Sequence, residues 1–227
     1  MELKMKDMME ILQARENDVI KKIKNAGLPG RMINHQYMFN KQEVKEWIIK
    51  RGIRINRHFL ELKLGDIPVS VAGLIKKGGI LTTTSKGRTP AEILTDAVSK
   101  MTVPPELKKE AVLSSLIERE SMMPTAVGHG IAIPHPRSPV ISDVDNESIT
   151  VCLLSKSIDY KALDAEPVHT MFIVLSANPK RHLEILSRLL YICQQEGFTG
   201  LLKNKAPAAD ILKFVTEAED RIGDRKK

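Results

Sequence analysis

The chemistry-bearing residues of this chain concentrate between Leu116 and Arg137, in the run LIERESMMPTAVGHGIAIPHPR. His135 stands near its end, behind the short apolar strand Ile131–Ile133 and Pro134. Pro124, Gly128 and Gly130 mark the segment before that strand as a loop. A histidine delivered by a strand end beside Gly-rich backbone is held in place and still accessible. Imidazole is nucleophilic while neutral, and its reference pKa of about 6.5 leaves much of it neutral near pH 7. It can attack a phosphoryl group and hold it as a phosphoramidate, which divides one transfer into two easier ones. Arg119 precedes His135 by sixteen residues. Its guanidinium fork suits phosphate oxygens, provided the intervening loop folds back.

The elements that must hold these residues read as follows. Val69–Lys77 is a short helix stopped by Gly78-Gly79, and Ile80–Ser85 is a β-prone strand. Thr89-Pro90-Ala91-Glu92 is a capping box with Pro at the first helical position, opening a helix that reaches about Met101. After Pro104-Pro105 a helix runs to Arg119 with Leu113, Leu116 and Ile117 as its buried stripe. Ser148–Leu154 and Thr170–Leu175 are continuous apolar runs, as central strands are. Arg181–Gln195 is a helix with Leu186, Leu189, Leu190 and Cys193 on one face, and Ala209–Ala218 is the last helix. His182 falls in the first turn of its helix, four residues before Leu186, and so shares the inward face. A helix N-terminus lowers the pKa of a nearby histidine, so His182 is expected to be mostly neutral.

The run RE…PTAVGHGIAIPH resembles the active-site signature of the type-2 IIA components of the bacterial phosphoenolpyruvate:sugar phosphotransferase system (PTS): the fructose, mannitol and nitrogen-regulatory IIA proteins. SIDYKALDAEPVHTMFIVLSA, followed by HLEILSRLL, is similar to that family's core strand and following helix. The resemblance spans roughly residues 67–220 and implies an α/β domain over residues 67–222, a mixed β-sheet flanked by helices, with 223–227 as a tail. It implies His135 as the phosphorylated histidine and Arg119 as the arginine that steadies the phosphoryl group. His182 matches the second active-site histidine, and Thr125, Gly128 and Gly130 lie in the phosphate loop. Phospho-HPr, or its nitrogen-branch paralogue, would be the donor and a IIB domain the acceptor. One departure is Pro136, where the family usually has Gly; proline lacks an N–H and pushes His135 toward extended backbone. A three-histidine zinc site of His129, His135 and His182 is set aside, because no carboxylate or cysteine shows metal-like spacing with them. Neither a cofactor nor a P-loop is expected.

Composition sets bounds around this. The chain has 227 residues, 42% of them hydrophobic and 4% aromatic, enough for a mainly aliphatic core in one medium domain and one small one. Cys152 and Cys193 lie apart inside apolar runs, as reduced core residues of a cytoplasmic protein do. No signal peptide and no run of the ~20 apolar residues needed to span a bilayer is read. Residues 1–60 hold thirteen Lys/Arg against seven Asp/Glu, so most of the formal net charge of +7 sits there. A small basic module is the electrostatic footprint of a nucleic-acid binder, although composition alone does not separate that from a merely basic surface.

Within that module, Lys6–Leu12 and Glu16–Asn25 read as helices, and Ala26-Gly27-Leu28-Pro29-Gly30 as a stop. Met32–Phe39 reads as two short strands turning at Asn34–Gln36, and Lys41–Arg51 as a helix with Val44, Trp47 and Ile48 on one face. GLPGRMINHQYMFNKQEVKEWI is similar to the winged helix-turn-helix of excisionase and MerR-type DNA-binding proteins. The resemblance implies a module over residues 1–53 and a linker over 54–66. Glu16–Asn25 would be the recognition helix, carrying Asn17, Lys21, Lys22 and Lys24, and Arg31 would begin the wing. Ile20 and Lys22 stand where that family has an aromatic residue and Trp. Three readings follow: a regulatory phosphocarrier linked to DNA, a sugar-transport IIA component with an N-terminal docking module, or a DNA-binding regulator whose IIA domain only senses. A homodimer would fit helix-turn-helix binding to two half-sites.

Overall fold

The computed structural model describes residues 2–33, 35–60, 68–83 and 89–223. They form two compact units, Met1–Val69 with Leu183–Tyr191, and Ser70–His182 with Ile192–Lys227.

The first unit begins with strand β1 (Glu2–Lys4), which sequence reasoning does not distinguish, followed by helices α1 (Met5–Leu12) and α2 (Glu16–Ala26). Gly27 adopts the left-handed conformation (φ 68°) that ends α2. Strands β2 (Arg31–Ile33) and β3 (Gln36–Asn40) form the expected hairpin, and β1 adds to it antiparallel in the order β1-β3-β2. Asn40 caps α3 (Lys41–Lys50) by accepting from the N–H groups of Gln42 and Glu43. Val44, Trp47 and Ile48 are buried as their spacing requires, and the Trp47 indole N–H closes the end of α2 on the Ala26 carbonyl at 2.9 Å. A short helix α4 (Arg57–Leu60) falls within the expected linker, whose residues 61–66 lie outside the described residues. Inside this unit Lys45 is fully buried, 3.0 Å from the Glu184 carboxylate and 5.4 Å from the centre of the Phe59 ring.

The second unit is built on a five-stranded mixed sheet in the order β4-β7-β8-β6-β5. Helix α5 (Val71–Gly78) leads into β4 (Ile80–Thr83), and residues 84 and 85 of the expected strand lie outside the described residues. Thr89 and Glu92 make the expected capping box at α6 (Pro90–Lys100). Helix α7 (Lys109–Met122) runs three residues beyond Arg119, and its buried positions are Val112 and Leu116, with Leu113 and Ile117 only partly covered. Strands β5 (Ala126–Gly128) and β6 (Ile131–Ala132) form a hairpin where sequence indicates mostly loop. Strands β7 (Ser148–Ile158) and β8 (Val168–Leu175) pair antiparallel as the central strands, with β8 buried at every position. Helix α8 (Pro179–Cys193), whose residues Leu183–Tyr191 are counted with the first unit, is followed by α9 (Phe198–Lys203) and α10 (Ala208–Gly223), α9 having no counterpart in the sequence reading. Cys152 and Cys193 are free and buried, and burial pushes both thiols up to about 12. Among the described residues no helix is long and apolar enough to cross a membrane.

Candidate active site

His135 owes its position to the β5–β6 hairpin. Gly128 pairs with Ile131, leaving His129 and Gly130 as a two-residue turn with φ of 54° and 69°. Positive φ at both positions is what a tight hairpin of this hand needs. A side chain at Gly130 would meet the His169 ring at 2.4 Å, so glycine is required there by space as well as by backbone. β6 pairs parallel with β8, and the Pro134 carbonyl continues the attachment by accepting from Val174 N–H at 2.9 Å. His135 therefore stands one residue beyond a segment tied to the centre of the sheet.

The backbone of Ile133 fixes the ring as well. Its N–H donates to the Thr125 carbonyl at 3.0 Å, and its carbonyl lies 2.8 Å from His135 Nδ1. A carbonyl only accepts, so Nδ1 carries the proton and Nε2 is left with a free lone pair. Burial pushes the His135 pKa down to about 4, against the raising effect of the Ile133 bond, and the Arg119 charge lowers it further. The imidazole is neutral at physiological pH, with Nε2 as its nucleophilic atom.

His182 occupies the first turn of α8, and its ring centre is 4.6 Å from that of His135 at an interplanar angle of 49°. Burial again leads in pushing its pKa down, to about 3, followed by the charges of His135 and Arg119. The neutral state expected from the helix N-terminus is thus produced mainly by desolvation. Arg119 lies in the last turn of α7, donates to the Met123 carbonyl at 2.8 Å, and acts electrostatically on both rings. The three residues singled out for chemistry are brought into one place.

The loop residues serve the architecture. Thr125 is buried and donates its N–H and hydroxyl to the two Glu120 carboxylate oxygens, at 2.8 and 2.7 Å. Gly130 gives its carbonyl to His169 N–H and Thr170 N–H, and Asp164 accepts from the His129 N–H at 2.7 Å beside Gly128. Ligand atoms of His129, Asp164 and Glu166, all exposed, lie within 4.8 Å of one another, a grouping that spacing along the chain does not reveal. Of the residues assigned to DNA contact, Asn17, Lys21 and Lys24 are exposed on α2, Lys22 is half-buried, and Arg31 pairs with Glu43 at 3.1 Å. They belong to the first unit and not to the histidine site.

Sequence reasoning missed three contributors. Glu120 latches the loop through Thr125, and its place beside Arg119 at a helix end is the only hint. Glu147, fully buried, accepts from Ala177 N–H at 3.1 Å and from the Arg181 guanidinium, with the shortest contact 2.6 Å. It clamps the β8–α8 turn from both ends. Within that turn Ser176 Oγ lies 3.1 Å from His182 Nδ1.

The family model described as phosphoenolpyruvate-dependent sugar phosphotransferase system, EIIA 2, matches residues 74–218. The chain belongs to that family. Among relatives, this EIIA 2 chain is 28% identical over 118 residues to a nitrogen regulatory protein of Pseudomonas aeruginosa, covering 51% of the chain and 75% of that protein. It is 32% identical over 114 residues to the PTS fructose-specific EIIA component of Haloferax volcanii, covering 48% of the chain and 72% of that protein. The crystal structure of nitrogen regulatory protein IIA-Ntr from Neisseria meningitidis superposes with a TM-score of 0.50 at 22% identity, over 60% of this chain and 92% of that one, which speaks to the fold. The matched residues contain His135, Arg119 and His182.

Proposed function

We propose that this EIIA 2 protein is a phosphocarrier that accepts a phosphoryl group on Nε2 of His135 from the phosphohistidine of HPr or its nitrogen-branch paralogue. The observation that carries this reading is the Ile133–His135 hydrogen bond, which fixes a neutral ring with Nε2 bare beside His182 and Arg119. In the transfer, the His135 Nε2 lone pair forms the new N–P bond. The P–N bond to the donor breaks, and the donor imidazole departs with that electron pair. The proton stays on His135 Nδ1, donated to the Ile133 carbonyl, and the donor ring leaves neutral because its other nitrogen keeps its own proton, so the step needs no general base. Arg119 supplies charge to phosphoryl oxygens, since such transfer depends mainly on positioning and electrostatic stabilisation. The turn at Thr125, Gly128 and Gly130 sets the backbone around the group. Onward transfer would go to a IIB domain, or to none in a regulatory role.

The regulatory role is the one we favour. The order α1, α2, β2–β3 hairpin, α3 supports a winged helix-turn-helix over residues 1–53, with Asn17, Lys21 and Lys24 exposed on α2. The excess basic charge of residues 1–60 supports DNA as its partner.

The test is phosphoryl transfer from labelled phosphoenolpyruvate through purified enzyme I and HPr, comparing wild type with His135→Ala. An acid-labile label on wild type alone is expected. If a control IIA protein is labelled and neither form of this protein is, the carrier reading fails.

A further inference from the structure

The reading of His135 as phosphoryl acceptor leaves the second histidine without a defined proton. A neutral imidazole carries one N–H, and which nitrogen holds it decides whether the ring donates to a phosphoryl oxygen or presents a lone pair to it. The β8–α8 turn bears on this choice.

Ser176 is 8% exposed, and among the described residues its hydroxyl has one partner, His182 Nδ1 at 3.1 Å. If Nδ1 donated to Oγ, the serine proton would be left without an acceptor in a buried place. An unsatisfied donor there costs more than unused lone pairs on an oxygen that already makes one bond. The hydroxyl satisfies both groups by donating to Nδ1, and the ring proton then lies on Nε2. The turn that holds the two groups is not free to shift. Glu147 grips Ala177 N–H, next to Ser176, and the Arg181 guanidinium, next to His182. The Asn178 side-chain oxygen also accepts from Arg181 N–H at 3.0 Å.

We propose that Ser176 is a positioning residue that donates to Nδ1 of His182 and thereby holds it as the Nε2–H tautomer, a donor to the phosphoryl group carried by His135. This rests on the carrier reading above. The two histidines have complementary assignments: His135 keeps its proton on Nδ1, where it donates to the Ile133 carbonyl, and is bare at Nε2, while His182 is bare at Nδ1 and protonated at Nε2. One ring offers the nucleophile and the other the hydrogen bond.

The experiment combines ring-nitrogen NMR of 15N-histidine protein with labelling rates for wild type, Ser176→Ala and Ser176→Thr. The wild-type His182 is expected as the Nε2–H tautomer. Ser176→Ala should populate the Nδ1–H form and slow labelling by His135 about three- to tenfold, the worth of one ordinary hydrogen bond. Ser176→Thr, which keeps the hydroxyl, should restore both. A wild-type ring protonated at Nδ1, or an alanine variant with tautomer and rate unchanged, overturns the proposal while labelling of the wild type leaves the carrier reading standing. No label on wild type beside a labelled control overturns the carrier reading and the proposal with it.

Discussion

Lowering the pH from 8 to 5 should weaken the folded state through the two buried histidines of the candidate site. In the unfolded chain each titrates near the ordinary value of about 6.5. In the folded protein burial pushes His135 to about 4 and His182 to about 3. At pH 8 both rings are neutral in both states, and their protons contribute nothing. At pH 5 the unfolded rings are charged and the folded rings remain mostly neutral, so the unfolded state binds more protons and is favoured. Stability therefore falls as pH drops through about 6.5, and the full loss is reached only below the folded values. At 1.36 kcal/mol per pH unit the loss at pH 5 is about 2 kcal/mol for each ring and about 4 kcal/mol for the pair.

The assay is urea unfolding at pH 8 and pH 5 for wild type and His182→Gln, with NMR titration of the His135 and His182 ring nitrogens. The glutamine variant lacks one of the two groups and should lose about 2 kcal/mol less than wild type over the same interval, a difference in which all other titrating residues cancel. Either ring titrating near 6.5 in the folded protein would refute the reasoning, because desolvation would then not govern the pair. The same depression predicts that labelling of His135 keeps its rate between pH 8 and pH 5.5, with no midpoint near 6.5 attributable to the nucleophile.

Glu147→Ala should destabilise the second unit by about 3–5 kcal/mol, since it removes a buried carboxylate shared by Arg181 and Ala177 N–H; thermal unfolding measures it. Gly130→Ala should cost about 1–3 kcal/mol or more from left-handed backbone and the His169 contact, read as a lowered Tm. Glu184→Ala should cost about 3–5 kcal/mol in chemical denaturation by leaving the Lys45 ammonium buried, whereas Lys45→Met combined with Glu184→Leu should recover most of it. If the N-terminal module binds DNA, Lys21→Glu should lower retention on a DNA column and flatten its dependence on salt, and unchanged retention would count against that contact.

How far the sequence led depends on whether a feature is local. The Thr89–Glu92 capping box, the Gly27 stop and the apolar runs of β7 and β8 are local in cause, and each was legible. Strand β1 is three residues without a turn signal, defined only by pairing with Leu3 opposite Phe39, and α9 is one short helical segment. Neither carries enough periodicity to announce itself. The stripe of α7 was read with Leu113 and Ile117 in full, but the core takes Val112 and Leu116, because burial follows what packs against the helix. Motif order singles out His135, Arg119 and His182, and the fold brings them together. Glu120, Glu147 and Ser176 are not marked, because they meet Thr125, Ala177 and His182 at separations of five, thirty and six residues that no motif encodes.

Burial and backbone contacts are what hold the histidines of the candidate site in one state. A histidine exposed to water would spend part of its time protonated near neutral pH, in either tautomer, and in several rotamers. Burial removes the first ambiguity for both rings, and the Ile133 carbonyl removes the second for His135. The bond to that carbonyl also restrains the third for His135, and the pairing of β6 with β8, extended by the Val174 N–H bond to the Pro134 carbonyl, holds the backbone that carries the ring. Burial also has a cost: neutral rings do not attract an anion, so on the proposed carrier reading that attraction falls to Arg119, whose own charge helps to keep both histidines unprotonated. The division of labour follows from that conflict. The group that carries positive charge is the one that cannot lose it, and the rings proposed to offer lone pair and hydrogen bond are kept neutral beside it.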